Sequence, residues 1–365
     1  MQSIFPCFEG STGSLHVKAL QTAYPRALAV AAGLDTPGFR VVMVLGIEHM
    51  NSNQHLSLDA ALAGVIGDGG SPNPSACLDG IAGATSGTRM FKDMAASEYH
   101  ADRDALSCSL MKPLLTSPAH FQASLAVCGT SSRAKDFGSA LHVLLLQPEL
   151  AGQELAVFHG NADGRKKEYQ EFLLANCEKL VLDEPTFALA RQVVEKIRRT
   201  MFKGRPLGKF IDESIPEATI YFTEPTTGLR MRVRVDAYHP ELNFDLKSTR
   251  HGAVNLFARD AVDLHYDLQA FMYSLARAMF EGTTSARPFV FIATETTAPH
   301  SVSTLTAGEN FMANGLRKFQ SCAATFKACT EAGLWPDLGR DDVLEIEPWQ
   351  QFSDKQGWRQ ALAVS

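Results

Sequence analysis

No stretch of this 365-residue chain is apolar for long enough to cross a membrane. A helical span needs about 20 such residues, and the longest apolar run, "VVMVLGI" at 41–47, is the size of a strand. The N-terminus lacks a basic segment leading into an apolar one, so no secretory signal is expected. The seven cysteines (Cys7, Cys77, Cys108, Cys128, Cys177, Cys322 and Cys329) include no Cys-x-x-Cys pair. That argues against a zinc ribbon and against a secreted disulfide framework, and the expectation is reduced thiols in a cytoplasmic protein. Neither Gly-rich run completes a phosphate loop. "GVIGDGG" at 64–70 lacks the closing Lys-Ser/Thr, and "GRPLGK" at 204–209 is one residue short and runs into Phe210. An excess of positive charge is also missing: the net charge is −6, with 20% charged and 45% apolar residues. Such a balance is ordinary for a globular protein. A nucleic-acid surface, if there is one, has to be a local basic patch.

Residues 1 to about 92 are rich in Ala, Gly and Ser, with turn clusters "GDGGSPNPS" at 67–75 and "GATSGT" at 83–88. Within them "FRVVMVLGI" reads as a strand and "LSLDAALAGVIG" as a short helix, and nothing assembles into a site. The character changes near Met94. "LSCSLMKPLLTSPAHFQASL" at 106–125 predicts a short helix and a turn. "DFGSALHVLLLQPE" at 136–149 predicts an apolar helix closed by Pro148. "PTFALARQVVEKIRRTMF" at 185–202 predicts an amphipathic helix with a basic end. Strands follow. "EATIYFTE" (217–224), the turn "PTTG" and "LRMRVRVDAY" (229–238) form a hairpin, and "HPEL" turns the chain into "NFDLKST". One long helix is expected over roughly 254–280, a strand over 287–295 and a last helix over about 306–332. This order indicates a mixed α/β domain.

Side chains alternate along a strand, so Asp245 and Lys247 in "FDLKSTR" (244–250) point the same way. Arg234 and Asp236 likewise share a face of the strand before. The turn between these strands is short, so Asp236 and Asp245 can come close. Two neighbouring carboxylates repel, and a cation between them relieves this. Oxygen donors with open positions suit Mg²⁺ or Mn²⁺, and the lysine could serve an attacking water or a phosphorane-like transition state. A surface ion pair accounts for the same residues equally well. His142, on an otherwise apolar helix, is either a satisfied core histidine or a ligand. Gly138 and Ala140 nearby let that helix pack closely on a sheet. Gln269 and Tyr273 are one helical turn apart on a common face. A basic cluster (Arg191, Lys196, Arg198, Arg199, Lys203, Arg205 and Lys209) is either a solvated face or a track for phosphates.

The ordered set His142, Asp236, Asp245-Leu246-Lys247 and Gln269-x₃-Tyr273 resembles the PD-(D/E)xK nuclease superfamily, and more narrowly the RecE-type exonucleases (exodeoxyribonuclease VIII-like domain). "EYHADRDALSCSLMKPLLTSPAHF", "DFGSALHVLLLQPE", the meander, "HYDLQAFMYSLA" and "GLWPDL" carry the resemblance, over about 94–352. It implies a restriction-endonuclease-like α/β core: a central mixed sheet with an antiparallel meander, flanked by helices. It divides the chain into an N-terminal extension (1–92), a nuclease domain (93–352) and a C-terminal tail (353–365). His142, Asp236, Asp245 and the Leu246 carbonyl would hold the metal. Lys247 would be the catalytic lysine, with Asp236 and Asp245 beside it, and Gln269 and Tyr273 would orient the lysine, water or phosphate. Glu217 matches a recurrent family acid without an assigned role, and Ser248 stands where a second Thr is common. Arg198, Arg199, Lys203, Arg205 and Arg234 are the candidate DNA contacts. The resemblance further implies Mg²⁺-dependent (Mn²⁺ as substitute) digestion of double-stranded DNA ends, 5′→3′, leaving 3′ single strands for recombination. It implies a ring-like homo-oligomer, perhaps a tetramer, a single-strand annealing protein as partner, and a phage or prophage setting in a bacterial cytoplasm. Two alternatives stay open: a structure-specific endonuclease or single-strand trimming nuclease, and an inactive DNA-end-binding or scaffold protein.

Overall fold

The computed structural model describes residues 87–126, 133–339 and 345. The strand and helix expected within the first 86 residues, and the tail at 353–365, lie outside the described residues. Ten strands occur among the described residues: β1 (Arg89–Phe91), β2 (Leu155–Phe158), β3 (Leu180–Asp183), β4 (Met201–Phe202), β5 (Arg205–Pro206), β6 (Ile215–Thr223), β7 (Arg230–Tyr238), β8 (Asn243–Thr249), β9 (Phe289–Glu295) and β10 (Val302–Thr306). The helices are α1 (Ala96–Ala101), α2 (Cys108–Met111), α3 (Pro118–Ala126), α4 (Arg133–Leu146), α5 (Ala151–Glu154), α6 (Lys167–Ala175), α7 (Glu184–Arg199), α8 (Leu207–Asp212), α9 (Val254–Asp263), α10 (Tyr266–Glu281) and α11 (Glu309–Ala332).

The main sheet has the order β1-β6-β7-β8-β9-β10. All its pairs are antiparallel except β8 with β9. A parallel pair needs a crossover, and α9 and α10 supply it. This is the mixed sheet with an antiparallel meander that the resemblance implies. Helices cover both faces, and the strand period shows which residue meets which layer. Along β9, Phe289, Phe291 and Ala293 join the core under α10 and α11. Val290 and Ile292 join the core under α4, α7 and α8. Phe244 and Leu246 of β8 enter that second core. Asp245 and Lys247, one residue out of phase, therefore face α10.

Two expectations are corrected. The helix foreseen over 254–280 is two helices, α9 and α10, because His265 between them adopts a left-handed conformation with φ 56°. Cations from distant elements cap the broken end. Lys318 Nζ donates to Val262 O at 3.1 Å, and Lys112 Nζ donates to Leu264 O at 2.7 Å. Lys318 also pairs with the buried Asp267 carboxylate at 2.9 Å, at the start of α10. The second correction is at 302–306, where no element was foreseen before the last helix, expected from about 306. That stretch is the edge strand β10, and α11 begins only at Glu309.

The β7–β8 turn is locked from behind by Arg277, whose side chain is 1% exposed. Its guanidinium donates to Leu242 O, Asn243 Oδ1 and Pro240 O at 2.6, 3.0 and 2.9 Å. It also pairs with Glu281 at 2.8 Å and lies 4.0 Å from the Tyr238 ring centroid.

Candidate active site

β7 and β8 pair only next to their turn, at Ala237↔Phe244 and Tyr238↔Asn243. Beyond it they part, and the Asp236 side chain enters the gap. Its Oδ2 accepts the Leu246 N–H at 2.8 Å, in place of a ladder bond. A fork of this kind leaves backbone donors free to hold a buried carboxylate.

The β6–β7 pair is distorted at the same level. Pro216↔Ala237 and Ala218↔Val235 are in register, and Glu217, opposite Asp236, is unpaired with φ 50°. The side-chain alternation reverses across this point. Val233 and Val235 belong to the core under α10, whereas Ala237 belongs to the core under α4. A left-handed residue without being glycine is uncommon and marks a site where structure is held against local preference. Here the distortion brings Glu217 to the fork.

His142 reaches the fork from α4. That helix lies close on β8 because Gly138 has no side chain: a Cβ there would stand 2.8 Å from Ser248 Oγ. His142 Nδ1 is 3.5 Å from Asp236 Oδ2 and 3.9 Å from Glu217 Oε1. Its Nε2 is 3.1 Å from Leu246 O. Both ring nitrogens face acceptors, an environment that suits an imidazolium. Burial alone would lower the imidazole, but the Asp236 and Glu217 carboxylates outweigh it and bring the group up to about 9. Asp236 is pushed up to about 7, by burial and then by the charge of Asp245. Glu217 moves the other way: its burial is outweighed by His142 and Arg234, which hold it below the usual carboxylate range.

Asp245 is 1% exposed and lies on the α10 side of the fork. Gln269 Nε2 donates to its Oδ1 at 2.6 Å. Lys247 Nζ lies 2.6 Å from its Oδ2. This charged pair occupies the buried oxygen. Burial would lower the Lys247 ammonium, but Asp245 and Asp236 hold it well above the usual lysine range. It is a cation under all ordinary conditions.

The donors His142, Glu217 and Asp236 have ligand atoms within 4.8 Å of one another. Carboxylate oxygens with one imidazole, and the buried Asp245 carboxylate beside them, fit a divalent cation. Glu217, which had no assigned role, belongs to this cluster, and of the expected ligands Asp245 and the Leu246 carbonyl stand beside it, next to Lys247 and His142.

The remaining sequence candidates divide. Gln269 is at the site. Tyr273, on the same face of α10, is buried, with its ring 6.2 Å from that of Phe289 and its hydroxyl pushed far up by burial. Arg234 is 11% exposed; it donates to Glu217 Oε2 and to Met94 O, so it orients an acid of the cluster. Arg198, Arg199 and Arg205 are paired with Asp212, Glu195 and Glu213 at 2.6, 3.4 and 2.5 Å. Lys203 lies over the Phe202 ring at 5.4 Å. Sequence reasoning missed Tyr266, whose ring lies 4.8 Å from Lys247 Nζ. Its place three residues before Gln269, on one helix face, was the signal available.

A family model described as a PDDEXK-like domain of unknown function matches residues 107–344. No curated protein matches the chain. One solved structure, from Eubacterium rectale and named "Putative exonuclease", is similar over 70% of this chain and 96% of that one, at 13% identity and a TM-score of 0.46.

Proposed function

The chain belongs to the family described as a PDDEXK-like domain of unknown function, and from that premise we propose that it is a divalent-metal-dependent nuclease that digests linear double-stranded DNA from its ends. The observation that carries this reading is the fork. Where β7 and β8 separate, Asp236, Asp245 and Lys247 come together with His142 and Glu217. A surface ion pair does not require this, since surface pairs are exposed and Asp245 is 1% exposed.

Asp236, Glu217 and His142 would hold the ion, with Asp245 as the acid between ion and lysine. Bound there, Mg²⁺ or Mn²⁺ would polarise a phosphoryl oxygen and lower the pKa of a water. Lys247, fixed as a cation beside Asp245, donates to the attacking water or to a non-bridging oxygen and offsets charge that grows in the transition state. Gln269 fixes the Asp245 carboxylate through its Oδ1. Tyr273 keeps the neighbouring turn of α10 packed. Arg234 holds Glu217. The domain occupies about 93–352, with residues 1–92 as an extension and 353–365 as a tail, a division compatible with the family match at 107–344.

The finer reading follows the RecE-type resemblance. Digestion runs 5′→3′ and leaves 3′ strands for a recombination partner that anneals single strands, and the active form is a ring of identical chains in the cytoplasm. Lys203, with Arg198, Arg199 and Arg205 released from their carboxylates, would meet the DNA backbone.

The test is digestion of linear duplex labelled separately at its 5′ and 3′ ends, with Mg²⁺ or EDTA, by wild type, Asp245→Ala and Lys247→Ala. Early loss of the 5′ label in Mg²⁺ alone, with both variants inactive, supports the reading. Nicking of closed circles would assign an endonuclease instead. Tight binding to ends without cutting would assign a DNA-end binder.

A further inference from the structure

Lys247 has a second neighbour that the metal cluster does not explain. Its Nζ lies 2.6 Å from Asp245 Oδ2 on one side and 4.8 Å from the centroid of the Tyr266 ring on another. An ammonium within about 6 Å of an aromatic centroid is attracted to the negative face of the ring. The attraction strengthens where water is scarce, and the Lys247 side chain is only 16% exposed.

The ring itself is held in place. Phe257 and Phe291 pack on it with centroids 6.3 and 6.0 Å away. Lys112 Nζ lies 5.3 Å from the same centroid and is anchored by donating to Leu264 O at 2.7 Å. Tyr266 is the first residue of α10, directly after the left-handed His265. Gln269, three residues on, bonds Asp245. One turn of α10 therefore touches both members of the Asp245–Lys247 pair. A lysine side chain has many rotamers, and a single ion pair holds the ammonium from one side only. A ring face on a second side removes that freedom.

We propose that Tyr266 is a positioning residue whose ring holds the Lys247 ammonium against Asp245, so that the break between α9 and α10 serves the site. The inference rests on the reading of Lys247 as the catalytic lysine. It requires the ring and makes no use of the hydroxyl.

The test uses the full chain labelled with ¹³C at the lysine ε-carbon, without metal or DNA. Protons over an aromatic face are shielded. The Lys247 methylene, assigned by its loss in Lys247→Arg, should lie upfield of the other lysines. It should stay there in Tyr266→Phe and return to the ordinary position in Tyr266→Leu. In the nuclease assay Tyr266→Leu should lower kcat by about tenfold with KM for DNA ends unchanged, and Tyr266→Phe should restore it. An unshifted wild-type signal, a shift that survives Tyr266→Leu, or a Tyr266→Phe protein as impaired as Tyr266→Leu overturns the proposal. If the shifts behave as stated while the wild type leaves linear DNA uncut, the positioning stands and the nuclease reading fails.

Discussion

Binding of a divalent ion at the fork should release a proton from His142, and the affinity should therefore rise with pH. Without an ion, the imidazole has Asp236 on one nitrogen and the Leu246 carbonyl on the other. Against the cost of burial, the carboxylates hold it at about 9. A nitrogen that ligates a metal carries no proton. Between about pH 7 and 9 each bound ion then displaces one proton, and the apparent Kd falls about tenfold per pH unit. Below about 7 Asp236 is also protonated, raised by burial and by Asp245. Two protons then leave, and the dependence steepens toward a hundredfold per unit. Above about 9 it flattens. The direction is the same for both groups, because each must give up its proton to ligate the ion. The His142 side chain is 31% exposed, so solvent and ions have access to it.

The assay is calorimetric titration of the DNA-free protein with Mg²⁺ and with Mn²⁺ across this pH range. Buffers of different ionisation enthalpy count the released protons directly. His142→Gln puts a neutral amide in the same place and should remove one proton from the count between about pH 7 and 9. A wild-type affinity that does not change with pH, or an unchanged proton count in His142→Gln, would refute the assignment of His142 as a ligand.

The same two groups should make the metal-free protein less stable as pH rises. His142, raised from its ordinary 6.5 to about 9, contributes stability that is fully present below 6.5 and lost on passing 9. Asp236, raised from 3.8 to about 7, acts in the same sense over the lower range. The thermal midpoint should fall from weakly acidic to alkaline pH in EDTA, and saturating Mg²⁺ should oppose the fall. Arg277→Met should cost about 3–5 kcal/mol in urea denaturation, because it leaves three acceptors at the β7–β8 turn without a donor, while Glu281 keeps Tyr238 and Arg287; a loss under about 1 kcal/mol would mean that the turn holds itself. Gly315→Ala should be destabilising beyond the usual 1–3 kcal/mol or so of overpacking, since a Cβ there would stand 2.1 Å from the Asp267 carbonyl. A variant with an unchanged midpoint would show that α11 can move off α10 freely.

The meander is legible in the sequence because its physics is local. Alternation is intact on both arms, Gly228 takes the positive φ of 73° that the turn requires, and the short "HPEL" turn allows one pairing only. The common face of Asp245 and Lys247 follows from period two alone, and the side on which they lie follows from Phe244 and Leu246 being the more apolar pair. The break at His265 is illegible for the opposite reason. Nothing near it breaks helices, and the groups that stabilise it, Lys318 and Lys112, lie 53 and 153 positions away in sequence (318 − 265; 265 − 112). Glu217 is intermediate. Its identity is visible, but its entry into the cluster depends on a left-handed non-glycine residue, which no propensity anticipates. β10 escaped notice because an edge strand, half-buried on both faces, carries no alternation to read. Arginines make the limit plainest. Arg198 and Arg277 are alike on paper, each on an amphipathic helix with an acid within reach. One is tied to Asp212 with a third of its side chain in solvent, and the other is 1% exposed under the β7–β8 turn. A basic run reports only that charge is present. Whether it is available to a phosphate depends on which carboxylates the fold brings to it, and here the fold has already committed three of the five expected contacts to acids on its own surface and a fourth, Arg234, to Glu217 at the fork.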